Sequence, residues 1–346
     1  MKFSRILLTG LGAQMIVVGG LFTFLGLGGS GIIGTSAHAT GMMDVANSFL
    51  PIWLTLCIAG LLCVHFALEA RPARRNLTLL ALAAIVVGGV PMMTETFYNN
   101  PVKVAASGPP LRIIQLNAFA GNFRPRVAVD VLLRAKADVV TLQEPRKLQQ
   151  QMDRLSTAYP YHTECVDDCG MMILSKSRPI SMSAEKLRGF SLGPVTSPSD
   201  GDVDMARMTL RGPDGKPFNV VSIHYHWPIP PQPFRRGQDV LNTYLQKFDR
   251  NRLILTGDFN LVPWSFTMRQ QDRELAPLVR VTRNLFTWPA YVPRVGFNWP
   301  LPFAPIDHVY VGPVWTASRV DVMQRVGSDH FPVLVDLHFQ PYNATS

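Results

Sequence analysis

The stretch LILTGDFN, from Leu253 to Asn260, decides the fold. Its first four residues are apolar or β-branched, as in a buried strand, and Gly257 then permits a tight turn. Asp258 and Asn260 follow two positions apart, which can place a carboxylate and an amide on one side of the strand end. A turn with an Asx cap would use the same residues. The alternative is a pair of groups that hold a water molecule and a phosphoryl oxygen.

Five further segments share this plan, in which an apolar, β-branched run is mostly followed by a polar residue where the strand should end. They are LRIIQLNA (Leu111–Ala118), DVVTLQE (Asp138–Glu144), NVVSIHYHWP (Asn219–Pro228), IDHVYVG (Ile306–Gly312) and GSDHFPV (Gly327–Val333). Helical spacing of apolar residues lies between some of these strands, at 127–136 and 235–248. Mixed strands and helices with polar strand ends predict a layered α/β sandwich.

Three of the strand ends carry residues typical of a phosphate site. Glu144 ends an apolar strand, where exposed carboxylates are common, but carboxylate oxygen is also the ligand that Mg²⁺ prefers. Asn117 is either a turn residue or an amide that holds Glu144, the metal or a phosphate oxygen. His224 leaves a strand just before a Pro-rich loop, 228–233, which favours a site residue over a structural histidine.

The last two segments supply a carboxylate and an imidazole that can act as a pair. Asp307 can hydrogen-bond to one ring nitrogen of His330 and leave the other as a base, so that Asp329 is free for a metal ion. Ser328 to His330 could instead form a simple turn cluster. Because all six segments indicate the same chemistry, we favour the site.

Over about residues 110 to 340, the chain resembles the endonuclease/exonuclease/phosphatase superfamily, which includes pancreatic-type deoxyribonucleases, abasic-site endonucleases, neutral sphingomyelinases and inositol-phosphate 5-phosphatases. The resemblance implies a four-layer α/β sandwich of two packed mixed sheets flanked by helices. Asp307 matches the acid that orients the last histidine of the family. The other family motifs match Asn117, Glu144, His224, Asp258 with Asn260, and Asp329 with His330.

The resemblance also implies an activity, the hydrolysis of phosphate esters with Mg²⁺ or Mn²⁺ bound by Glu144 and Asp329. Either His330 or Asp258 would activate the attacking water. The groups that would stabilise the extra negative charge are Asn117, Asn260 and His224.

The substrate is expected to be nucleic acid or a phospholipid headgroup, and the sequence indicates no protein partner. The chain has 346 residues and a net charge of +9, without the dense Lys/Arg stripe and interleaved aromatics that mark a nucleic-acid surface. An alternative is a catalytically inactive, membrane-tethered scaffold with the same fold. Such a scaffold should have lost a site residue, whereas every matched position is filled.

Three apolar stretches near the N-terminus, about 6–27, 49–68 and 77–93, are each close to the length that spans a bilayer. The predicted organisation is therefore a membrane region at 1–93, a linker at 94–110 and a catalytic domain at 111–340. The first stretch could be a cleaved signal peptide, since Ala37-His38-Ala39 offers a cleavage pattern. Its apolar run is longer than a signal peptide requires, which favours a retained span.

The positive-inside rule predicts how these spans are oriented. The loop 28–48 has no Lys or Arg and is therefore expected outside the cytoplasm. The protein would then be a multi-pass protein of the inner or plasma membrane, with its catalytic domain on the exoplasmic side. In a Gram-negative bacterium that side is the periplasm. There, Cys165 and Cys169 could form a disulfide if the residues between them turn. The cations on the cytoplasmic side would be Lys2, Arg5, Arg71, Arg74 and Arg75.

Overall fold

A computed structural model of the chain describes residues 2–32, 44–97, 108–164, 170–188, 201–229 and 231–340. The chain divides into two compact units, one with residues 1–98, 229–231 and 261–269, and one with the remainder. The predicted disulfide pair, the signal cleavage pattern and most of the predicted linker lie outside the described residues.

The described residues of the first unit include three long helices whose length and composition would let them cross a membrane. The apolar stretches expected at 6–27, 49–68 and 77–93 correspond to them, although the third helix is longer than its predicted span. These helices are α1 (Lys2–Ile32), α2 (Leu50–Ala67) and α3 (Arg71–Phe97).

Close packing and polar contacts hold the described residues of this unit together. A Cβ atom on Gly60 of α2 would lie 2.7 Å from the carbonyl oxygen of Gly12, so α1 and α2 approach each other through small residues. The carboxylate of Asp44 accepts the backbone N–H groups of Phe266 and Thr267 at 2.8 Å each. Asp44 therefore satisfies two backbone donors in the first turn of the helix that begins at Phe266.

The second unit is built on two six-stranded mixed sheets. The order in the first sheet is β13-β14-β1-β2-β4-β3, with β1 and β2 parallel. The order in the second sheet is β5-β6-β7-β8-β12-β9, with β7 and β8 parallel, and β10 and β11 form a separate ribbon. The strands are β1 (Leu111–Asn117), β2 (Val139–Gln143), β3 (Tyr161–His162), β4 (Met171–Ser175), β5 (Ser181–Leu187), β6 (Val203–Arg211), β7 (Pro217–His224), β8 (Leu253–Asp258), β9 (Val279–Arg280), β10 (Tyr291–Val292), β11 (Phe297–Asn298), β12 (Asp307–Val311), β13 (Trp315–Val322) and β14 (Val333–Phe339).

Successive side chains along a strand point to opposite faces of its sheet, and this alternation divides the hydrophobic core into layers. In β1, Ile113 packs with Val220 and Ile254 of the second sheet, whereas Ile114 faces the other way and packs with Leu132 of a helix. The predicted four-layer sandwich is thereby confirmed, with two mixed sheets between helices. The helices are α4 (Pro125–Ala135), α5 (Arg146–Gln149), α6 (Met152–Ala158), α7 (Pro231–Leu245) and α8 (Phe266–Glu274), with 3₁₀ turns at Arg250–Arg252 and Pro293–Val295.

Several elements of the fold differ from the sequence prediction. Helix α7 begins at Pro231, inside the stretch predicted as a Pro-rich loop, because proline is compatible with the first turn of a helix. Strands β5, β6 and β13 were not predicted, because their sequences contain many polar residues, as in SMSAEKL at Ser181–Leu187.

Candidate active site

The predicted site residues meet where the two parallel strand pairs end. Asn117 is the last residue of β1 and Glu144 comes directly after β2. His224 and Asp258 are the last residues of β7 and β8 and lie opposite each other in register. Asp307 begins β12, which runs antiparallel to β8, and it pairs with Asp258. Carboxyl ends of parallel strands share one edge, so both sheets contribute to one site.

Asp258 is the centre of this site. Its side chain is buried, and its Oδ2 accepts a hydrogen bond from Asn117 Nδ2 at 2.9 Å. The Nε2 atoms of His224 and His330 each lie 3.6 Å from the same oxygen. The other oxygen, Oδ1, accepts the backbone N–H of Asn260 at 2.9 Å. Four residues from four different segments therefore surround one carboxylate.

His330 is held between two acids. Its Nδ1 lies 2.8 Å from Asp307 Oδ2, while Gln115 Nε2 donates to Asp307 Oδ1 at 2.8 Å. Both oxygens of Asp307 are therefore engaged, and Nε2 of His330 is directed toward Asp258. This is the orientation that the predicted carboxylate–imidazole pair requires.

The charges of these groups are strongly perturbed. Burial alone would lower the pKa of His330, but the negative charges of Asp307 and Asp258 outweigh it and raise that pKa to about 10. Burial would raise the pKa of Asp307, yet the His330 charge and its hydrogen bond bring it below its ordinary value. Burial raises the pKa of Asp258. At neutral pH, the imidazole of His330 is therefore favoured in its protonated form.

Glu144 forms a more open part of the site, with its side chain 33% exposed. Its Oε2 accepts the backbone N–H of Ala120 at 3.0 Å. Its Oε1 lies 3.5 Å from Asn117 Nδ2 and 3.9 Å from His224 Nε2, both long for a hydrogen bond. This oxygen therefore retains room for a further ligand.

Asp329 and Asn260 complete the predicted set. Asp329 is half-buried, and burial raises its pKa. The positive charge of His330 opposes this rise, whereas the negative charge of Glu144 adds to it. Asn260 donates through Nδ2 to the carbonyl of Tyr225 at 2.7 Å, which ties the end of β8 to the end of β7. All eight predicted residues are thus connected through contacts or charge within one site.

The backbone is strained at several positions of this site. Glu144 and Asn260 both have φ of 49°, and Phe119, two residues after Asn117, has φ of 58°. Non-glycine residues rarely adopt such angles, and strain of this kind concentrates at functional sites. Gly257 precedes Asp258 with φ of 152°, and a Cβ atom there would lie 2.1 Å from the carbonyl oxygen of Ile223. Only glycine fits this close approach of β8 to β7.

A buried polar layer beneath the site was not predicted from the sequence. Gln115 Nε2 donates to Gln143 Oε1 at 2.8 Å, and Gln143 Nε2 donates to Ser222 Oγ at 2.8 Å across the two sheets. Thr256 Oγ1 donates to Thr141 Oγ1 at 2.9 Å, also between the sheets. The available signal was the recurrence of polar residues inside otherwise apolar strands, at Gln115, Thr141 and Gln143.

The sequence profile of the endonuclease/exonuclease/phosphatase family matches residues 114–330, which include every site residue described above. The match covers more than half of the chain, and the protein belongs to this family. No curated protein sequence matches the chain.

Three solved structures illustrate the shared fold. A family member from Bacteroides thetaiotaomicron has 19% identity and a TM-score of 0.52, covering 68% of this chain and 100% of that one. The catalytic domain of human nocturnin, with a bound sulfate, has 17% identity and a TM-score of 0.51, covering 70% and 98%. A mannosyl-6-phosphatase from Bacteroides thetaiotaomicron has 18% identity and a TM-score of 0.50, covering 66% and 100%.

Proposed function

We propose that the protein is a membrane-anchored, metal-dependent hydrolase that cleaves phosphate esters at this site. One observation carries the proposal: Asn117, His224 and His330 all approach a single oxygen of the buried Asp258. Such a carboxylate, with two imidazoles and an amide around it, can orient a water molecule and bind phosphoryl oxygens. Membership of the family supports the same reaction.

Glu144 and Asp329 are the residues that would hold Mg²⁺ or Mn²⁺. Both offer hard carboxylate oxygens, and Oε1 of Glu144 has room for a ligand. Asp258, Asp307 and His330 also have potential ligand atoms within 4.8 Å of one another, but both oxygens of Asp307 are already engaged. When bound, the metal ion would offset negative charge on the phosphoryl group.

The remaining catalytic roles fall to side chains and backbone groups of the protein itself. Since carboxylates flank both nitrogens of His330, its imidazole is suited to donate a hydrogen bond, and Asp258 is the better group to accept a proton from water. Asn117 and His224 have donors facing the space between Asp258 and Glu144, where they can contact phosphoryl oxygens. Asn260 donates its backbone N–H to Asp258 and keeps that carboxylate in place.

The proposal is tested with the full-length protein purified in detergent. Hydrolysis of DNA, RNA, sphingomyelin and phosphoinositides should be measured with Mg²⁺, and again after addition of EDTA. We expect cleavage of at least one class, its loss in EDTA and its recovery with excess Mg²⁺. The class that is cleaved would decide between a nucleic-acid and a lipid-headgroup substrate. No cleavage of any class would reject the function and favour the inactive scaffold.

We further propose that residues 1–93 form the membrane region, 94–110 a linker and 111–340 the catalytic domain, with that domain on the exoplasmic side. The absence of Lys and Arg from 28–48 supports this orientation. A reporter that is active only after export, fused after Ser346, should be active. Activity of a cytoplasm-only reporter at the same position would contradict the orientation.

A further inference from the structure

The unit of the membrane helices also contains a short segment that directly follows two site residues. Asp258 ends β8, Asn260 comes two residues later, and the next residues, Leu261–Arg269, group with the first unit. Residues 261–265 are all buried, although they precede helix α8, which begins at Phe266. Whatever fixes this segment therefore bears on the backbone of the two site residues before it.

Two buried residues between α1 and α2 hold the segment through hydrogen bonds. The carboxylate of Asp44 accepts the backbone N–H groups of Phe266 and Thr267. The backbone carbonyl of Asn47 accepts the indole N–H of Trp264 at 2.8 Å. A carboxylate at the N-terminus of a helix satisfies free N–H groups and interacts favourably with the helix dipole. The segment is thus bound both at the start of α8 and just before it.

Asn47 connects these contacts to the first membrane helix. Its Nδ2 donates to Asp44 Oδ1 at 2.7 Å and to the carbonyl oxygen of Gly26 in α1 at 3.1 Å. A Cβ atom on Gly26 would lie 2.5 Å from Asn47 Oδ1, so this close approach requires glycine. A continuous series of hydrogen bonds therefore runs from α1 through Asn47 and Asp44 to the start of α8.

A cap that only stabilises α8 is the simplest alternative role for Asp44. The helix already has a cap of its own, since Ser265 Oγ accepts the backbone N–H of Met268 at 3.0 Å. The conformation of Asn260 indicates a more specific role. Its φ is 49°, and its Nδ2 donates to the carbonyl of Tyr225. Strained backbone persists only where its surroundings hold it, and the contacts of Asp44 hold the chain that leaves this turn.

We propose that Asp44 and Asn47 are positioning residues that act on the site through the Leu261–Arg269 segment. They would keep the carboxylate of Asp258 in its working geometry, so that the membrane region contributes to the reaction rate and does not only anchor the protein. This inference rests on the proposed function, because Asp258 accepts a proton only if the site cleaves phosphate esters. The proposed topology places the loop between α1 and α2 on the same side of the membrane as the catalytic domain, as these contacts require.

The first test is Asp44→Asn in the full-length protein, with its best phosphate-ester substrate. The change replaces one oxygen with an NH₂ group that faces a backbone N–H of Phe266 or Thr267. We expect kcat per folded protein to fall about tenfold, with KM and the dependence on Mg²⁺ nearly unchanged, because geometry rather than binding is lost. Glu69→Gln is the matched control and should keep wild-type kcat, since this exposed acid of the same unit pairs with Arg5.

A second pair of variants changes only the membrane helix and decides the question if Asp44→Asn does not fold. Gly26→Ala should displace Asn47 and lower kcat by about threefold or more. Gly10→Ala is its control in the same helix, because a Cβ atom there would meet nothing within 4 Å, and it should keep wild-type kcat. Size-exclusion chromatography in detergent would give the folded fraction of each variant.

A double-mutant cycle separates positioning from stabilisation. In an Asn260→Ala background, Asp44→Asn should lower kcat by less than about twofold, because the turn through which it acts is already altered. An undiminished effect in that background would overturn the inference. So would a lower folded fraction with wild-type kcat per folded protein, or wild-type kcat in both Asp44→Asn and Gly26→Ala. Those results would leave the proposed function intact, whereas a wild-type protein without hydrolase activity would overturn both.

Discussion

The two sides of the active site differ in how far the protein itself satisfies their polar groups. On the inner side, formed by Asp258, Asp307 and His330, all three residues are at most 4% exposed, and His330 lies 2.8 Å from Asp307. On the outer side, formed by Glu144, His224 and Asp329, the side chain of Glu144 is 33% exposed and lies 3.9 Å from His224.

This difference indicates which groups the protein already holds in position and which have room for a ligand. Inner-side groups keep their geometry through fixed hydrogen bonds, as transition-state stabilisation requires. Outer-side groups have long contacts and solvent access, as expected where a metal ion and a phosphate would enter. Changes on the inner side should therefore reduce kcat, whereas changes to the two proposed metal ligands on the outer side, Glu144 and Asp329, should alter the dependence on metal concentration.

The largest effect is expected from Asp258→Asn, which removes the proposed proton acceptor of the inner side. We predict that kcat falls by about 10³- to 10⁴-fold at saturating Mg²⁺. Steady-state kinetics on the best substrate would measure it. Asp214→Asn, which alters an acid paired with Arg252, is the control and should behave as wild type. A loss below about tenfold would remove Asp258 from the chemistry.

Asp307→Asn should have the next largest effect, lowering kcat by about 10²- to 10³-fold. An amide cannot support the charged imidazole of His330, although Asp258 would still face the other ring nitrogen. Kinetics over a range of Mg²⁺ concentrations would show that excess metal does not restore the rate. Restoration by metal would instead place Asp307 among the metal ligands.

Glu144→Gln tests the outer side. The Mg²⁺ concentration that gives half-maximal activity should rise by about 10- to 100-fold, because a hard carboxylate ligand becomes a neutral amide. High Mg²⁺ should recover part of the lost rate, unlike in the two inner-side variants. An unchanged dependence of the rate on Mg²⁺ concentration would show that Glu144 is not a metal ligand and would contradict its assignment to a metal-binding outer side.

The inner side should also make stability depend on pH. The pKa of His330 is about 10 in the folded protein, above the roughly 6.5 of an unfolded histidine. Its contribution to stability is thus complete below about pH 6.5 and is lost as pH rises through about 10. The difference in unfolding free energy between wild type and His330→Gln should shrink from pH 6 to pH 10, as measured by denaturant unfolding in detergent. A difference that grows over this range would contradict the assigned charge.

The smallest effect concerns the polar layer under the inner side. Replacing Thr256 alone with valine should destabilise the protein by about 1–3 kcal/mol, because it leaves the hydroxyl of Thr141 without its partner in the other sheet. The double change Thr141→Val with Thr256→Val should cost less than the sum of the single changes. Denaturant unfolding measures both, and strict additivity would show that the two hydroxyls are not coupled.

Much of the fold followed from local patterns in the sequence. The strand predicted from the apolar, β-branched start of Leu253–Asn260 is observed as β8, Leu253–Asp258. The helices predicted at 127–136 and 235–248 differ from α4 and α7 by a few residues at their ends. The eight site residues were recognised because polar groups at strand ends and family motifs coincided, and their catalytic and metal-binding roles stay predictions.

Pairing between distant strands could not be inferred in the same way. Asp307 lies opposite Asp258 only because β12 runs antiparallel to β8 in one particular register, and nothing local in the sequence specifies that register. The polar layer of Gln143 and Ser222 likewise depends on how the two sheets face each other. These contacts are properties of the tertiary structure, which is why they add residues that motif analysis missed.

The most direct measurement is the rate of phosphate-ester hydrolysis by the full-length protein in Mg²⁺ and in EDTA, compared between wild type, Asp258→Asn and Glu144→Gln. A single metal-dependent site predicts that EDTA abolishes the wild-type rate, that excess Mg²⁺ partly rescues only Glu144→Gln, and that Asp258→Asn stays inactive. Hydrolysis that persists in EDTA, or survives in Asp258→Asn, would contradict it.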